Sequence, residues 1–156
     1  MNIYCDTTRF IWEVLENGEY KFLFDQLTVI DAGCDIGTFS LWIYPHAKFI
    51  HAIETEPRHL DNFRKTINDN GLKNIQLYEE RLLSLGDFMS GHQIPIADVL
   101  KLDVEGDEVE ILSHNFPKDR VRVIIGEYHQ KPVRDIIESL GYRYFEFPNQ
   151  HFLARI

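Results

Sequence analysis

Cysteine is scarce in this sequence: only Cys5 and Cys34 occur among 156 residues. Two cysteines are too few for the disulfide framework of a small secreted domain, and they fit a reducing compartment. No apolar run reaches the roughly 18 residues that a membrane-spanning helix needs. The first residues show no basic region followed by an apolar stretch, so a secretory signal is not expected. We therefore expect a cytoplasmic protein without a membrane partner.

Positive charge is also in short supply, with 16 basic residues against 25 acidic ones and a net charge of −9. The basic residues are scattered, and the nearest things to clusters are Arg58 with Arg64 and Lys65, and the pair Lys118 and Arg120. Phosphate groups repel an acidic chain that lacks a basic patch, so a nucleic acid partner is disfavoured.

The length fits one domain, since domains usually have about 100–200 residues. Hydrophobic residues make up 44% and charged residues 26% of the chain, which are ordinary globular values. We expect a single domain over residues 1–156, with an N-terminal helical segment over 1–26 and an α/β core over 27–156. Apolar spacing in the N-terminal segment predicts a helix from Thr7 to Glu16.

Short apolar runs rich in β-branched residues alternate with helical patterns along the rest of the chain. Near-continuous apolar character is typical of strands buried on both faces of a parallel sheet. The last two runs are separated by Pro148-Asn149-Gln150, which predicts an antiparallel hairpin. Strands are predicted at residues 27–30, 49–53, 75–78, 97–102, 121–125, 143–147 and 151–156. Helices are predicted at about residues 57–70, 109–116 and 132–140, with a further one starting near Ile36.

The first strand leads into a glycine-containing turn, Asp31-Ala32-Gly33-Cys34-Asp35-Ile36-Gly37. Glycines between a strand end and a helix start let a ligand approach the backbone, where free helix N–H groups face it. The spacing is G-x-x-x-G and not the G-x-G-x-x-G of dinucleotide-binding folds. Asp31 suits a cationic ligand better than a pyrophosphate. A plain structural turn is the alternative interpretation.

The second strand ends in a carboxylate, Glu54, which lies 17 residues beyond Gly37. A carboxylate at this point of a nucleoside-binding α/β fold accepts hydrogen bonds from ribose hydroxyls. Glu56 is the nearby competitor for that role, and a solvated loop acid is the alternative.

Acidic residues also follow the fourth and fifth strands. Asp103 and Glu105 come directly after the fourth strand, where ligands bind in open α/β sheets. Asp107 and Glu108 are explained by the positive end of the next helix dipole. The fifth strand ends in Gly126-Glu127-Tyr128-His129, and Glu127 and His129 point to one side if the strand persists. An exit of the strand to solvent is the alternative.

These four features, in this order, resemble a class I S-adenosylmethionine-dependent methyltransferase of the FkbM family. The resemblance runs from about Val29 to His129, and its most specific part is Lys101-Leu102-Asp103-Val104-Glu105-Gly106-Asp107-Glu108 before an apolar helix. It implies a doubly wound, Rossmann-like fold with a mostly parallel seven-stranded sheet and an antiparallel last strand. It also implies S-adenosylmethionine as cofactor. Asp35 and Thr55 depart from the family pattern, which usually has asparagine and proline at these positions.

The resemblance implies a set of site residues. Glu54 is expected to hold the ribose, and the adenine is expected against Arg81 and Leu82. The expected cofactor-binding residues are Asp31, Gly33, Asp35, Ile36, Gly37, Glu54, Thr55, Arg81, Leu82 and Asp103. Glu105, Glu127 and His129 are expected to face the acceptor, with His129 as general base because imidazole titrates near neutral pH. No metal is expected, although Asp103, Glu127 and His129 could instead hold a divalent cation.

The resulting hypothesis is O-methylation of a sugar or another small hydroxyl-bearing metabolite, the acceptor class that the resemblance implies. One alternative is a binding module for S-adenosylmethionine or a partner that has no turnover. A nicotinamide-dependent oxidoreductase is less favoured, because the middle glycine of the dinucleotide fingerprint is missing.

Overall fold

The computed structural model describes residues 26–156, and its centre is one seven-stranded sheet. The strand order is β3-β2-β1-β4-β5-β7-β6, in which β1 to β5 are parallel and β7 runs antiparallel to both β5 and β6. The strands are β1 (Leu27–Ala32), β2 (Ala47–Glu54), β3 (Ile75–Glu79), β4 (Ala97–Leu102), β5 (Val121–Glu127), β6 (Arg143–Glu146) and β7 (His151–Arg155). The Rossmann-like fold predicted from the sequence is confirmed.

The central strands are apolar on both faces because both faces are covered. In β1, Val29 and Ile30 point to opposite sides of the sheet, and each is fully buried. Val29 packs in a core that contains Phe63, whereas Ile30 packs in a second core that contains Met89. Two hydrophobic cores on opposite faces explain why the sequence lacks polar alternation here.

Between residues 26 and 156, five α-helices connect the strands: α1 (Thr38–Ile43), α2 (Pro57–Asn70), α3 (Leu85–Gly91), α4 (Glu108–Ser113) and α5 (Val133–Ser139). Short 3₁₀ turns occupy Tyr44–His46 and Lys118–Arg120. The sequence pattern did not indicate α3, which has seven residues and contains Gly86 and Gly91. Ser84 caps its first turn by accepting a hydrogen bond from the Asp87 N–H group at 3.3 Å.

The helix expected at Thr7 to Glu16 lies outside the described residues. Within residues 26–156, no helix combines the length and the apolar character needed to cross a membrane.

The order of the strands fixes where a ligand can bind. β1 lies between β2 and β4, so the order of the strands reverses at β1. The helix between β1 and β2 packs on one face of the sheet and the helix between β3 and β4 packs on the other, which leaves a crevice at the carboxyl ends of β1 and β4. The N–H group of Asp103, just after β4, donates to the Ala32 carbonyl at the end of β1 at 3.1 Å. The two loops that carry the predicted site residues are therefore held side by side.

Candidate functional site

A cleft of about 150 Å³ opens at the carboxyl ends of β1 to β4. Its walls come from the loops that follow these four strands, as expected for a ligand site in a doubly wound sheet. The lining residues are Gly33, Ile53, Glu54, Thr55, Glu80, Arg81, Leu82, Asp103, Val104, Glu105 and Asp107.

The glycine loop lies directly against the loop after β4. Gly33 has a φ of +74°, and a Cβ atom there would lie 1.7 Å from the Asp103 carbonyl oxygen. Gly37 has a φ of +85°, and a Cβ atom there would lie 2.1 Å from the Phe63 ring. Both glycines are thus required by backbone conformation and by close packing. Gly33 therefore lets the loop after β1 pack directly on the loop after β4, where any side chain would collide with the Asp103 carbonyl.

Glu54 is held in one orientation by the backbone around it. Its carboxylate accepts hydrogen bonds from the N–H groups of Asp35 at 2.9 Å, Thr55 at 2.7 Å and Glu56 at 2.9 Å. Burial raises the pKa of the Glu54 carboxyl, but these three donors outweigh it and hold the pKa below its ordinary value. The side chain therefore presents an ionised carboxylate on the cleft wall.

Glu56, the competitor of Glu54, has a different place. It is the N-cap residue of α2, and its carboxylate accepts a long bond of 3.5 Å from the Arg58 N–H group. It does not line the cleft, so the geometry distinguishes the two acids where the sequence could not.

Asp31 lies beneath the glycine loop and not on the cleft wall. It is fully buried, and it accepts a hydrogen bond of 2.6 Å from the Ser40 hydroxyl. The ammonium group of Lys101 lies 3.5 Å from Asp31 Oδ1 and 3.3 Å from Asp103 Oδ2, and it donates to the Gly33 carbonyl at 2.5 Å. The structure therefore gives Asp31 a supporting position under the loop, whereas its expected place near the cationic end of the cofactor stays a prediction.

Lys101 is a site residue that the sequence pattern contains without indicating its role. Burial lowers its pKa, but the charges of Asp31 and Asp103 raise it above the ordinary value, so the ammonium group stays charged. This buried cation joins the loops after β1 and β4 through three contacts. The sequence does carry a signal for this role. A lysine inside an apolar strand is expected to be buried, and a buried charge must be paired; an aspartate follows this lysine two residues later.

Asp35 and Ile36 lie on the turn between β1 and α1, outside the lining of the cleft. The Asp35 carboxylate is 3.0 Å from Nδ1 of His59, a histidine for which the sequence offered no partner. Ile36 is 46% exposed. Their backbone belongs to the glycine loop, and the Asp35 N–H group orients Glu54.

The loops after β3 and β4 are joined across the cleft by Arg81 and Asp107. The guanidinium group donates to both carboxylate oxygens at 2.7 Å. This bond from Arg81 holds the pKa of Asp107 below its ordinary value. Leu82, next to Arg81, is 5% exposed and presents apolar surface to the cleft. The sequence indicates only a helix-dipole role for Asp107. In the structure Asp107 is the N-cap residue of α4, but its side chain makes no cap hydrogen bond. Its carboxylate is instead paired with Arg81.

A second group of polar side chains follows Asp103 along the same edge of the sheet. Ligand atoms of Asp103, Glu127 and His129 all lie within 4.8 Å of one another. His129 Nε2 is 3.6 Å from Glu105 Oε2, which brings a fourth predicted residue to this group. We call Asp103, Glu105, Glu127 and His129 the acidic cluster. The structure thus brings the expected acceptor-facing residues together beside the cleft.

Glu108 has a different role from the one that the sequence indicates. The sequence explains this acid by the helix dipole, but its side chain is fully buried and its Oε1 lies 2.8 Å from His129 Nδ1. Burial lowers the pKa of His129, but the bond and charge of Glu108, together with Glu105 and Glu127, raise it above the ordinary value of 6.5.

Oxygen and nitrogen ligands such as those of Asp103, Glu127 and His129 can hold a divalent cation. Each of the three also has a protein partner, since Asp103 faces Lys101 and His129 faces Glu108. Glu127 lies 3.9 Å from Nε2 of His151. The cation therefore remains an alternative hypothesis for this group.

Comparison with known proteins identifies the family. Residues 33–144 match the Methyltransferase FkbM domain. A protein of Halalkalibacterium halodurans named as an uncharacterised RNA methyltransferase is 36% identical over 58 residues, which are 37% of this chain and 13% of that protein. The chain spans only this small part of its relative.

Solved structures share the fold. The precorrin-6y C5,15-methyltransferase of Geobacter metallireducens has a TM-score of 0.65 and 17% identity, covering 85% of this chain and 82% of its own. A Streptococcus mutans protein described as a methyltransferase, in complex with SAH, has a TM-score of 0.65 and 13% identity, with 97% of each chain covered. The strand order, the glycine loop and the match over residues 33–144 lead to one assignment. The chain belongs to the FkbM methyltransferase family, whose methyl donor is S-adenosylmethionine.

Proposed function

We propose that this chain methylates a hydroxyl group of a sugar or another small hydroxyl-bearing metabolite. The observation that carries the proposal is the acidic cluster with His129, which begins where the cofactor cleft ends at Asp103. Asp103 and Glu105 belong to both, so a methyl group carried in the cleft and an acceptor at the cluster would be neighbours.

The residues that line the cleft offer a partner for each part of S-adenosylmethionine. The ionised Glu54 carboxylate faces the cleft as a ribose acceptor, and Leu82 offers apolar surface for the adenine. Gly33 exposes backbone where the methionine part would pass, and the carboxylate of Asp103 suits its cationic end. In this assignment Asp31 and Lys101 support the loop from beneath.

Bound S-adenosylmethionine supplies a methyl group on a positively charged sulfur, which is open to direct attack. The chain itself needs no nucleophile, and its task is alignment, which can contribute roughly 7–11 kcal/mol at best. A hydroxyl acceptor must also lose its proton, and His129 is the candidate base of the cluster because an imidazole ordinarily titrates near neutral pH.

The charge of the cluster favours a neutral acceptor. Asp103, Glu105 and Glu127 surround His129, and the buried Lys101 is directed toward Asp31, Asp103 and the Gly33 carbonyl. Carboxylates at the acceptor position repel phosphate, so a phosphate-rich acceptor binds poorly there. Hydroxyl groups can instead donate hydrogen bonds to carboxylates.

RNA is the second candidate acceptor. The Halalkalibacterium relative is named as an RNA methyltransferase, and this is the observation that favours it. The net charge of −9 and the acidic cluster oppose it.

Two further alternatives make different predictions. A non-catalytic module would bind S-adenosylmethionine and release no demethylated product with any acceptor. A nicotinamide-dependent oxidoreductase would bind a dinucleotide, whose pyrophosphate would have to face the acidic cleft wall at Glu54 and Asp103.

The test is transfer of a labelled methyl group from S-adenosylmethionine to a panel of sugars, other small hydroxyl compounds and RNA oligonucleotides. We expect label in a small hydroxyl acceptor and a loss of roughly 100-fold or more in His129→Asn, because general base catalysis contributes about 10²–10⁴. His114→Asn is the matched control, since His114 is exposed at the end of α4. Labelling of RNA alone, or binding without transfer, would contradict the proposal.

A chelator added to the same assay separates the two interpretations of the cluster. With His129 as base, transfer continues in the chelator. If Asp103, Glu127 and His129 instead hold a cation that the reaction needs, transfer should stop in the chelator and return when magnesium is added.

A further inference from the structure

Glu108 is a carboxylate without exposure to solvent, in the first turn of α4. Glu110, two residues later in the same turn, is exposed. The helix dipole favours acidic residues anywhere in the first turn, so it does not explain why one of these two is buried. Burying a carboxylate is unfavourable unless it is paired or hydrogen-bonded, and therefore the contacts of Glu108 must be identified.

One oxygen of Glu108 makes both of its contacts. Oε1 accepts the Gly106 N–H group at 3.2 Å and lies 2.8 Å from His129 Nδ1. An oxygen that accepts from a backbone N–H group is an acceptor for the histidine as well, so Nδ1 carries the proton of this pair. Among the described residues, Oε2 has no hydrogen-bond partner.

This pairing determines which ring nitrogen faces the acceptor side. With Nδ1–H directed at Glu108, the free lone pair of a neutral His129 is on Nε2, which lies on the side of Glu105 and 3.6 Å from its Oε2. The exposed fractions agree with this direction: the side chain of Glu105 is 87% exposed and that of Glu108 is not exposed. The imidazole thus bridges a buried carboxylate and an open one.

Hydrogen bonds also connect the loop that carries His129 to the loop that precedes Glu108. The side-chain amide of Gln130 donates to the Gly106 carbonyl at 2.6 Å, and Gly106 in turn donates its N–H group to Glu108. The loop after β5 and the loop before α4 therefore hold His129 from two points. Asp103 and Glu127 face the ring from the remaining strand ends.

We propose that Glu108 is a positioning residue, whose buried carboxylate keeps His129 in the Nδ1–H form and leaves Nε2 as the basic nitrogen toward the acceptor. The inference rests on the proposed function for its catalytic consequence, because only a hydroxyl acceptor needs this base. The tautomer itself is a property of the unliganded protein and does not depend on turnover.

The experiment is nitrogen NMR of the protein labelled in its histidine rings, with the His129 signals assigned by their loss in His129→Asn. In the wild type at a pH where the ring is neutral, we expect a protonated Nδ1 and an unprotonated Nε2. Glu108→Leu removes the acceptor, and the proton should then distribute between both nitrogens. Glu108→Gln keeps an acceptor oxygen but removes the charge, so it should keep the Nδ1–H form. Glu110→Leu and Glu110→Gln are the matched controls and should leave the His129 signals unchanged.

Kinetics give the second readout. Glu108→Leu should lower kcat by roughly 10-fold or more, since removing a group that orients a histidine costs about 10- to 100-fold at metal sites and about 10⁴-fold in a serine protease triad. Glu108→Gln should recover part of that loss, and the KM for S-adenosylmethionine should change little in either variant. A merely structural role would lower the amount of folded protein and would not move the tautomer of the folded fraction.

A wild-type spectrum with the proton on Nε2, or an unchanged tautomer in Glu108→Leu, would overturn the inference. If Glu108→Leu does not fold, the wild-type tautomer and the pattern in Glu108→Gln still decide it. If no hydroxyl acceptor is methylated but the Nδ1–H form is found and is lost in Glu108→Leu, the proposed function fails and the positioning role stands.

Discussion

Removal of the Glu54 carboxylate is the perturbation that tests the cofactor assignment most sharply. Three backbone N–H groups hold this carboxylate on the cleft wall, and its lowered pKa keeps it charged at neutral pH. A hydrogen bond to a charged group contributes about 1.5–3 kcal/mol. Because 1.4 kcal/mol corresponds to a factor of ten, Glu54→Ala should weaken S-adenosylmethionine binding by about 10- to 150-fold.

The assay is calorimetric titration of the wild type and the variants with S-adenosylmethionine and with its demethylated product. Glu56→Ala is the matched control, because Glu56 is only two residues away, lies outside the cleft lining and makes a long 3.5 Å cap bond. Its affinity should stay near that of the wild type. Melting temperatures of both variants establish that the fold persists. Unchanged affinity in Glu54→Ala, or an equal loss in both variants, would refute the assignment of the ribose to Glu54.

The remaining predictions concern the loop, the buried cation and pH. Gly33→Ala should destabilise the fold by about 2–5 kcal/mol in denaturant unfolding, since its Cβ would lie 1.7 Å from a backbone oxygen. Gly71→Ala, also at positive φ but in open space, should cost only about 1–2 kcal/mol, and similar losses would contradict the packing argument. Lys101→Met should cost about 3–5 kcal/mol by leaving the Asp31 carboxylate buried and unpaired, and a second substitution, Asp31→Asn, should recover part of it. The pKa of His129 lies above 6.5 and a base must be neutral, so kcat should fall as the pH drops through that raised value; a flat profile would contradict this role.

The sequence predicted the elements whose signals are local. The central strands, beginning with Leu27–Ala32, are apolar because both faces of the sheet are covered. Such an apolar run can be recognised without knowing which strands lie next to it. α3 was missed because seven residues with two glycines carry little helical periodicity. The cleft position of Glu54 followed from its distance to the glycine loop, although the three donors that orient it did not.

The contacts of the site residues could not be derived from the sequence, because they join loops that are far apart along the chain. Asp31 looked like a ligand contact, but it pairs beneath the loop with Lys101, 70 residues away. Glu108 looked like a helix-dipole residue, and its partner His129 is 21 residues further on. In each case the residue type was informative, and the fold decided which atoms meet.

The measurement that tests the central claim most directly is a crystal structure of the chain with the demethylated product, S-adenosylhomocysteine, bound. The account predicts the ribose hydroxyls on the Glu54 carboxylate, the adenine against Leu82 and the homocysteine part along Gly33, with its sulfur facing the acidic cluster. Density for the nucleoside outside this cleft, or an adenine more than one side-chain length from Leu82, would contradict it.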